Sequence, residues 1–407
     1  MNNPTVKRRV FVLSELYYPA ETGTGFMMGM LAEGLATRFP VYVLCGYPEG
    51  NGEERTHIEN RNGVIVERCA GSRLNKEVLW SRSLNLLTIS ISIFFKALLR
   101  FRRGDKVLVV TNPPSLPFFA SAACKLRGAK CFLLIYDLYP EVLTTTGFLH
   151  PRGFAAGFLS LLNTKLYEQM ERVILLGRDM YTVVAHRLRS AERRAVVIPN
   201  WADVDEIVPM SREENLFLRQ LNISDKFVIQ HAGNMGRTHG LETLVESAHK
   251  LQCHDAIHFL CSGTGAKRQW LTENVKTLEL RNFTLLPLQP RCKLCELLNA
   301  CDVAVISFIP GMAGISVPSR MYSIMAAGKP IIAVADDNSE LALVVREEEI
   351  GWVVRPDRPD LLAEVITQAL EDRDLLHEMG KRARRAAEEK YSFGKIISRY
   401  QDLFTIE

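Results

Sequence analysis

Short apolar runs alternate with helical patterns along almost all of the 407-residue chain, and this alternation constrains the fold more than any single motif. The runs are rich in β-branched residues and are bounded by turn residues, as buried strands are. Strands separated by helices form parallel sheets, because the chain must cross over before it can run in the same direction again. With 47% hydrophobic residues, the chain can bury substantial cores. The sequence therefore predicts an α/β protein with doubly wound sheets and excludes a disordered chain.

The alternation is interrupted once, between Ile198 and the charged segment Ser211–Gln220. We place the domain boundary there, with residues 1–205 in an N-terminal domain and residues 206–391 in a C-terminal one. The segment 392–407 is a candidate helix that returns to the first domain. Ligands of such sheets bind beyond the carboxyl ends of the strands, so we expect a central cleft that both domains face. The predicted strands are Val10–Leu13, Val41–Cys45, Val64–Cys69, Val107–Val110, Cys131–Ile135, Val173–Leu176 and Ala195–Ile198 before the boundary, and Phe227–His231, Ile257–Cys261, Phe283–Leu286, Val303–Ile306, Ile331–Val334 and Trp352–Val354 after it.

Charge and cysteine content narrow the class of protein. Fifty basic and 46 acidic residues give a net charge of +4, which is too balanced for nucleic acid to be the main partner. Nine cysteines without framework spacing, and no signal peptide before the first strand, indicate a cytoplasmic protein with free thiols. The lone pair Cys292 and Cys295 lacks a second ligand pair, so we expect no zinc or redox site there.

The segment Gly311–Pro330 combines a Pro-Ser-Arg turn, an apolar helix and a Gly-Lys-Pro stop. A helix that begins near Ser319 points its unpaired N–H groups toward whatever the preceding loop holds. Arg320 in its first turn opposes the helix dipole, which is favourable only if an anion such as phosphate lies at that end. The alternative is an arginine on a solvated helix start.

Three glycine-rich turns follow predicted strands. The first, Tyr18–Gly25, contains Gly23 and Gly25 and only superficially resembles a dinucleotide fingerprint. The next glycine is too far away, and the second strand ends in Cys45-Gly46 without the acidic residue that holds an adenosine ribose, which disfavours a nicotinamide dehydrogenase.

The other two turns lie in the second domain, at His231–Gly240 and Cys261–Gly265. Glycines let the backbone approach a ligand closely, and Arg237 in the first of these turns could offer a forked cation to a diphosphate. Any one such turn is most simply an ordinary connection. Several glycine-rich or cationic turns that follow strands in series favour a phosphate-binding site.

The order and spacing of these motifs resemble a family 4 glycosyltransferase of the GT-B fold, which has two Rossmann-like domains facing a central cleft. The bacterial polysaccharide and O-antigen enzymes, among them N-acetyl-L-fucosamine transferases, are the most similar group. The resemblance covers almost the whole chain. Its motifs are LSELYYPAETGTG, VTNPPSLPFFA, IYDLYPEVLTTTGFL and IPNWADVD in the first domain, and HAGNMGRTHGLETLVES, FLCSGTGAKRQWL, CDVAVISF and VPSRMYSIMAAGKPIIAV in the second.

The resemblance implies retaining transfer of a sugar from a nucleotide-diphosphate sugar to a hydroxyl, with no cofactor and no metal. Arg237 and Arg320 would clamp the leaving diphosphate, where negative charge grows. Asp137 matches an acidic position that faces the acceptor, and it would orient or deprotonate the hydroxyl; a buried or helix-capping aspartate is the alternative. The implied donor-binding residues are Gly23, Gly25, Gly233, Asn234, Gly236, Gly263, Gly265, Ser319, Tyr322 and Glu340.

One departure from the family pattern concerns two glutamates, eight positions apart, that hold the sugar and the ribose in many of these enzymes. Alignment of the Met-Ala-x-Gly stretch puts Ile315 and Ser323 at those positions, so both carboxylates are missing. Glu340, just after the next strand, is the nearest carboxylate that could substitute. The loss leaves two alternatives open besides the transferase: a nucleotide-sugar 2-epimerase of the same fold, or an inactive homologue that only binds nucleotide sugar.

The stretch Leu84–Arg103 is apolar for most of its length and ends in four cations. We expect it to be too short and interrupted to span a bilayer. It is either an amphipathic helix on an anionic membrane face or a core helix with a solvated basic end. We favour the membrane, because the resemblance implies a saccharide acceptor carried on a polyprenyl diphosphate. The expected location is the cytoplasm, peripherally at the inner face of the plasma membrane.

Overall fold

The computed structural model describes residues 8–20, 23–48, 58–75 and 79–405. The chain divides into two compact units. Unit 1 contains the chain up to Pro140, Arg152–Ile198 and the C-terminal residues from Ile397; unit 2 contains Glu141–Pro151 and Pro199–Ile396. The segment Glu141–Pro151 thus groups with unit 2, although the sequence boundary placed it in the first domain.

Unit 1 is built on an eight-stranded sheet in its described residues, with the strand order β3-β4-β2-β1-β5-β6-β7-β8. All neighbouring strands are parallel except β3, which runs antiparallel to β4. Sequence patterning missed β3 because this edge strand is polar and partly exposed. The strands are β1 (Val10–Leu13), β2 (Val41–Gly46), β3 (Ile58–Arg61), β4 (Val64–Cys69), β5 (Lys106–Val110), β6 (Lys130–Ile135), β7 (Arg172–Leu175) and β8 (Ala195–Val197).

Helices cover both faces of this sheet, as βα crossovers require. The C-terminal residues return to unit 1, where the Lys106 ammonium donates to the Phe404 carbonyl and the Phe404 ring contacts Phe132. Gln401 donates to the Gly34 carbonyl on α1. The helices of the first half are α1 (Gly23–Ala36), α2 (Leu79–Arg100), α3 (Leu116–Arg127), α4 (Glu141–Thr145, in unit 2), α5 (Phe154–Gln169), α6 (Arg178–Ala185) and α7 (Ala191–Arg194).

Helix α2 differs from the expectation for Leu84–Arg103, since it begins earlier and has 22 residues. Within it, Ser83–Arg100 is long and apolar enough to cross a membrane by length and composition, which corrects the view that the stretch is too short. The helix packs against α3, β2 and β4, and its buried side belongs to the core of unit 1. Its composition alone is therefore weak evidence for a span.

Unit 2 is built on a parallel six-stranded sheet in the order β11-β10-β9-β12-β13-β14. Central strands β9 and β12 are buried on both faces, as their continuous apolar runs predict. The strands are β9 (Phe227–Asn234), β10 (Ile257–Thr264), β11 (Phe283–Leu286), β12 (Val303–Ser307), β13 (Ile331–Val334) and β14 (Gly351–Val354). All thirteen strands expected from the sequence are present in the two sheets.

An apolar core surrounds Ile229, Phe259 and Val305 in unit 2. The helices of the second half of the chain are α8 (Leu216–Gln220), α9 (Leu241–Lys250), α10 (Arg268–Thr277), α11 (Leu294–Asn299), α12 (Arg320–Ala326), α13 (Glu340–Glu347), α14 (Pro359–Glu371), α15 (Arg373–Glu389) and α16 (Phe393–Leu403), most of which lies in unit 1. The carboxyl ends of β9, β10, β12 and β13 meet at one edge of the sheet, and the candidate site is built there.

Candidate functional site

The last two residues of β9 and β10 pair side by side, with Gly233 opposite Gly263 and Asn234 opposite Thr264. A Cβ atom on Gly263 would lie 1.8 Å from the Gly233 carbonyl oxygen, and one on Gly265 would lie 2.6 Å from Met235. Both glycines also have positive φ, so no other residue fits. The Asn234 side chain lies where side chains on Gly236 and Gly265 would stand. The structure therefore brings five of the predicted residues together in one glycine-lined edge.

Arg320 reaches this edge from the start of α12, which has Ser319 as its N-cap and is only seven residues long. Its Nη1 lies 3.1 Å from Nε2 of His231 and donates to the Ala232 carbonyl over 3.3 Å. The same nitrogen lies 3.4 Å from the position of a Cβ on Gly233. Within the described residues, Nε and Nη2 of Arg320 make no hydrogen bond. The guanidinium is therefore anchored through one nitrogen, and its other edge is available to an anion.

Burial lowers the pKa of Arg320 to about 10, so the side chain remains a cation at neutral pH. A partly desolvated cation next to closely approaching backbone attracts an anion more strongly than a solvated one does. The arrangement can bind a phosphate or diphosphate group and can stabilise negative charge that develops on it.

Two buried histidines, for which the sequence pattern predicts no role, lie behind Arg320. Because a guanidinium can only donate, His231 Nε2 must be the acceptor, which requires a neutral imidazole. Burial and the nearby Arg320 charge lower the pKa of His231 to about 3 and that of His239 well below the usual value. Their rings are 6.2 Å apart, and His239 also contacts Phe308. The only sequence signal was that His231 is the first residue of the turn His231–Gly240.

Lys267 and Arg268, which lie close to the second glycine turn in sequence, are engaged within the protein. The Lys267 ammonium donates to both carboxylate oxygens of Glu242 at 2.7 Å and to the His239 carbonyl. Arg268 donates to the carbonyls of Gly263 and Leu286. Both cations stabilise the turn itself.

Arg237 and Arg320 contact different residues. Its side chain is exposed, and the guanidinium carbon lies 5.3 Å from the ring centre of Phe148. In this structure the predicted two-arginine clamp is represented by one anchored arginine and one exposed arginine, both in unit 2.

The remaining predicted residues of unit 2 differ in exposure. Ser319 is exposed at the N-cap of α12. Tyr322 is fully buried, with its ring 5.1 Å from that of Tyr391, so it packs within the unit. Glu340 is buried at the first position of α13, where the helix dipole favours its negative charge.

Three predicted residues lie in unit 1. Asp137 is half-buried just beyond the end of β6, and its backbone N–H lies 3.5 Å from the Thr111 hydroxyl, which follows β5. Gly23 and Gly25 form the first turn of α1, and a Cβ on Gly23 would meet nothing within 4 Å. Glu21 and Thr22 of the same predicted turn lie outside the described residues.

A pocket of about 490 Å³ lies at the opposite edge of the unit 2 sheet, against α15. Although it is lined by many cations, Arg212 and Arg373 both pair with Asp302, and Arg384 donates to backbone carbonyls. We therefore do not assign the candidate site to it. Among the described residues, no group of three His, Cys, Asp or Glu side chains is arranged to hold a metal. All nine cysteines are described and free.

Comparison with known proteins identifies the family. The sequence model of the family described as Glycosyl transferases group 1 matches residues 213–386. The chain is 33% identical over 370 residues to WbjE of Pseudomonas aeruginosa, named a glycosyltransferase, covering 89% of this chain and 90% of WbjE. It is 26% identical over 376 residues to WcaI of Escherichia coli strain K12, named a colanic acid biosynthesis glycosyl transferase, covering 89% and 92% of the two chains.

The fold is shared with solved structures. HepE of Anabaena, crystallised with UDP-glucose, superposes with a TM-score of 0.74 at 16% identity over 98% of this chain and 99% of that one. This likeness shows the GT-B fold, with its two Rossmann-like sheets. On the 33% identity that spans nine-tenths of both chains, the protein belongs to the group 1 glycosyltransferase family and is a glycosyltransferase.

Proposed function

We propose that this protein is a retaining glycosyltransferase of cell-surface polysaccharide biosynthesis that moves a sugar from a nucleotide-diphosphate sugar to a saccharide acceptor. The observation that carries the proposal is the Arg320 guanidinium, which is anchored beside Gly233 and whose Nε and Nη2 make no hydrogen bond to any residue that the structure describes. WcaI, a relative of similar length, is named for colanic acid biosynthesis, and HepE of the same fold was solved with UDP-glucose. Retention of configuration rests on the family resemblance.

In the proposed reaction, the bond between the anomeric carbon and the β-phosphate oxygen breaks, and the acceptor oxygen forms the new bond. The diphosphate then carries an additional negative charge, which Arg320 would stabilise together with the backbone at Gly233 and Gly263. Arg237 would add a second, mobile cation. Because these interactions strengthen as the leaving group departs, they would accelerate the reaction rather than only tighten donor binding.

The acceptor hydroxyl must lose a proton, and we assign Asp137 to orienting or deprotonating it. Asp137 is half-buried after β6, so its carboxylate is proposed to contact the acceptor while its backbone N–H contacts the Thr111 hydroxyl. Glu340 is proposed to take over a donor contact of the missing glutamate pair. No metal or other cofactor is part of the proposed mechanism.

The proposed acceptor is linked to a polyprenyl diphosphate, and we propose that the protein works at the cytoplasmic face of the membrane. Nine of the sixteen large apolar side chains that are exposed in the described residues lie on α2, α3 and α5 of unit 1. Leu99 is 81% exposed and Phe154 is 89% exposed, so neither is explained by the core of the unit. These nine residues, which we call the apolar helix surface, are Trp80, Leu84, Leu87, Phe95, Leu99, Leu126, Phe154, Phe158 and Leu161.

The test is nucleotide release by purified protein over a panel of uridine- and guanosine-diphosphate sugars, with and without extracted membrane lipids. We expect acceptor-dependent release of one nucleotide. Arg320→Ala should lower kcat by about 100- to 1,000-fold, as loss of one charge-stabilising donor does. Arg237→Ala should have a smaller effect, because its guanidinium is exposed.

Three other outcomes would contradict the proposal. Consumption of nucleotide sugar without any acceptor would indicate an epimerase. Saturable binding without release would indicate a binding protein. Full activity of Arg320→Ala would remove the proposed leaving-group contact. Folding of each variant is checked by thermal unfolding of the same preparation.

A further inference from the structure

We propose that His231 is a positioning residue, which holds the Arg320 guanidinium so that its Nε and Nη2 edge faces the donor diphosphate. The inference rests on the proposed function and adds to it a residue that touches neither substrate. It concerns the mutual geometry of β9 and the start of α12, both in unit 2.

The contacts of Arg320 are concentrated on one nitrogen. Nη1 makes both contacts, to His231 Nε2 at 3.1 Å and to the Ala232 carbonyl at 3.3 Å. A guanidinium binds a phosphate most strongly with two parallel N–H groups. Anchoring through Nη1 leaves the parallel pair of Nε and Nη2 without a partner in the part of the chain that the structure describes, so the tether selects the edge that is presented to the ligand.

The support behind this tether is rigid. His231 is completely buried in β9, which is paired on one side with β10 and on the other with β12. Its ring is backed by His239, whose own ring contacts Phe308. An arginine side chain has many rotamers, so a fixed acceptor lowers the entropy that must be lost when a ligand binds.

The chemical type of the acceptor matters as much as its position. A carboxylate at this place would pair with Arg320 and cancel the charge needed by the diphosphate. A neutral imidazole accepts the hydrogen bond and leaves the charge in place.

The experiment compares two substitutions of one residue. In His231→Gln, the side-chain oxygen can reach about as far as Nε2 and can still accept from Arg320. In His231→Asn, the oxygen reaches only as far as Nδ1 and the tether is lost. We expect kcat to fall about 10- to 100-fold in His231→Asn, as for other misplaced catalytic groups, and to stay within about 3-fold of wild type in His231→Gln.

The matched control is His258→Asn, which removes another buried histidine from the neighbouring strand β10. His258 bonds to the Thr284 hydroxyl and lies outside the site. We expect it to leave kcat unchanged. The double variant His231→Asn with Arg320→Ala should be no slower than Arg320→Ala alone, because a positioning residue has nothing left to position.

Three results would each overturn the inference. They are a wild-type kcat in His231→Asn, an equal loss of kcat in His231→Asn and His231→Gln, and additive losses of kcat in the double variant. Calorimetric titration with uridine and guanosine diphosphate separates this result from the fate of the proposed function. If the wild type binds a diphosphate but releases none from any donor, the proposed reaction fails. In that case, weaker diphosphate binding by His231→Asn than by His231→Gln still supports the positioning role. If neither diphosphate binds the wild type, both proposals fail.

Discussion

At the scale of single residues, the candidate site depends on partners that lie far apart in sequence. Arg320 and His231 are 89 positions apart, and the contact between them requires β9 and α12 to meet at the same sheet edge. The sequence suggested Arg320 because a cation in the first turn of a helix opposes the dipole. It gave no comparable signal for His231, because a histidine within an apolar strand is indistinguishable from an ordinary core residue.

The buried histidines make unit 2 sensitive to acid. The pKa of His231 is lowered to about 3, that of His258 to about 4, and that of His239 well below its usual value, mainly by burial. Between these values and about 6.5, the unfolded chain binds protons that the folded unit does not, so stability falls as the pH falls. Each such histidine contributes a slope of at most about 1.4 kcal/mol per pH unit.

We therefore expect the free energy of unfolding, measured with urea between pH 7 and pH 4.5, to decrease with acidification. His258→Gln removes one titrating group and keeps a polar contact for Thr284. It should lower the slope of the unfolding free energy against pH by at most about 1.4 kcal/mol per pH unit, the contribution of one proton. The same change at the exposed His254 is the control. An unchanged slope in His258→Gln would show that its charging is not linked to unfolding.

At the scale of elements, the glycine turns after β9 and β10 are fixed by the close approach of two backbones. The sequence located both turns, since glycines that directly follow an apolar run indicate a strand end. It did not reveal which glycines are indispensable. The structure separates them: a side chain on Gly263 collides with the backbone of Gly233, whereas one on Gly23 meets open space.

Alanine substitution tests this difference. Gly263→Ala should destabilise unit 2 by more than about 2 kcal/mol, because a backbone collision is added to strain at positive φ. Gly23→Ala should be neutral or stabilising by up to about 1 kcal/mol, since alanine favours the helix that begins there. Urea unfolding of both variants measures the effect. Equal stability of the two would contradict the assigned turn geometry.

At the scale of the whole molecule, a nearly balanced charge conceals a local imbalance. The chain has a net charge of +4, yet α2, α3 and α5 together carry six Lys or Arg residues and one acidic residue. These are the helices that bear the apolar helix surface. Two of the cations, Lys96 and Arg100, pair with the buried Glu67 of β4, so the proposed contact with an anionic lipid face depends mainly on the exposed apolar side chains. The total charge argues against nucleic acid as the main partner, but it could not reveal this distribution.

Vesicle sedimentation tests the proposed membrane contact. We expect the protein to bind vesicles with anionic phospholipids more strongly than vesicles of neutral lipid alone, and to be released by salt. Replacing Phe95 and Leu99 with serine should weaken binding at least about 10-fold, because roughly 1.5 to 3 kcal/mol is lost for each apolar side chain that no longer inserts. Leu288→Ser, an exposed apolar change in unit 2, is the control. Equal binding by both variants would exclude the apolar helix surface as the contact.

Local periodicity and motifs in a fixed order were enough to predict the α/β class, thirteen strands, the glycine turns and the family. They failed at β3, whose polar residues form a strand only because β4 lies beside them. Four features emerge only from long-range packing: Arg320 is held by His231, Lys267 and Arg268 are engaged within the protein, Tyr322 is buried in the core, and Glu141–Pro151 groups with unit 2. Hydrogen bonding and burial depend on which distant segments meet, and the local sequence pattern does not encode those meetings.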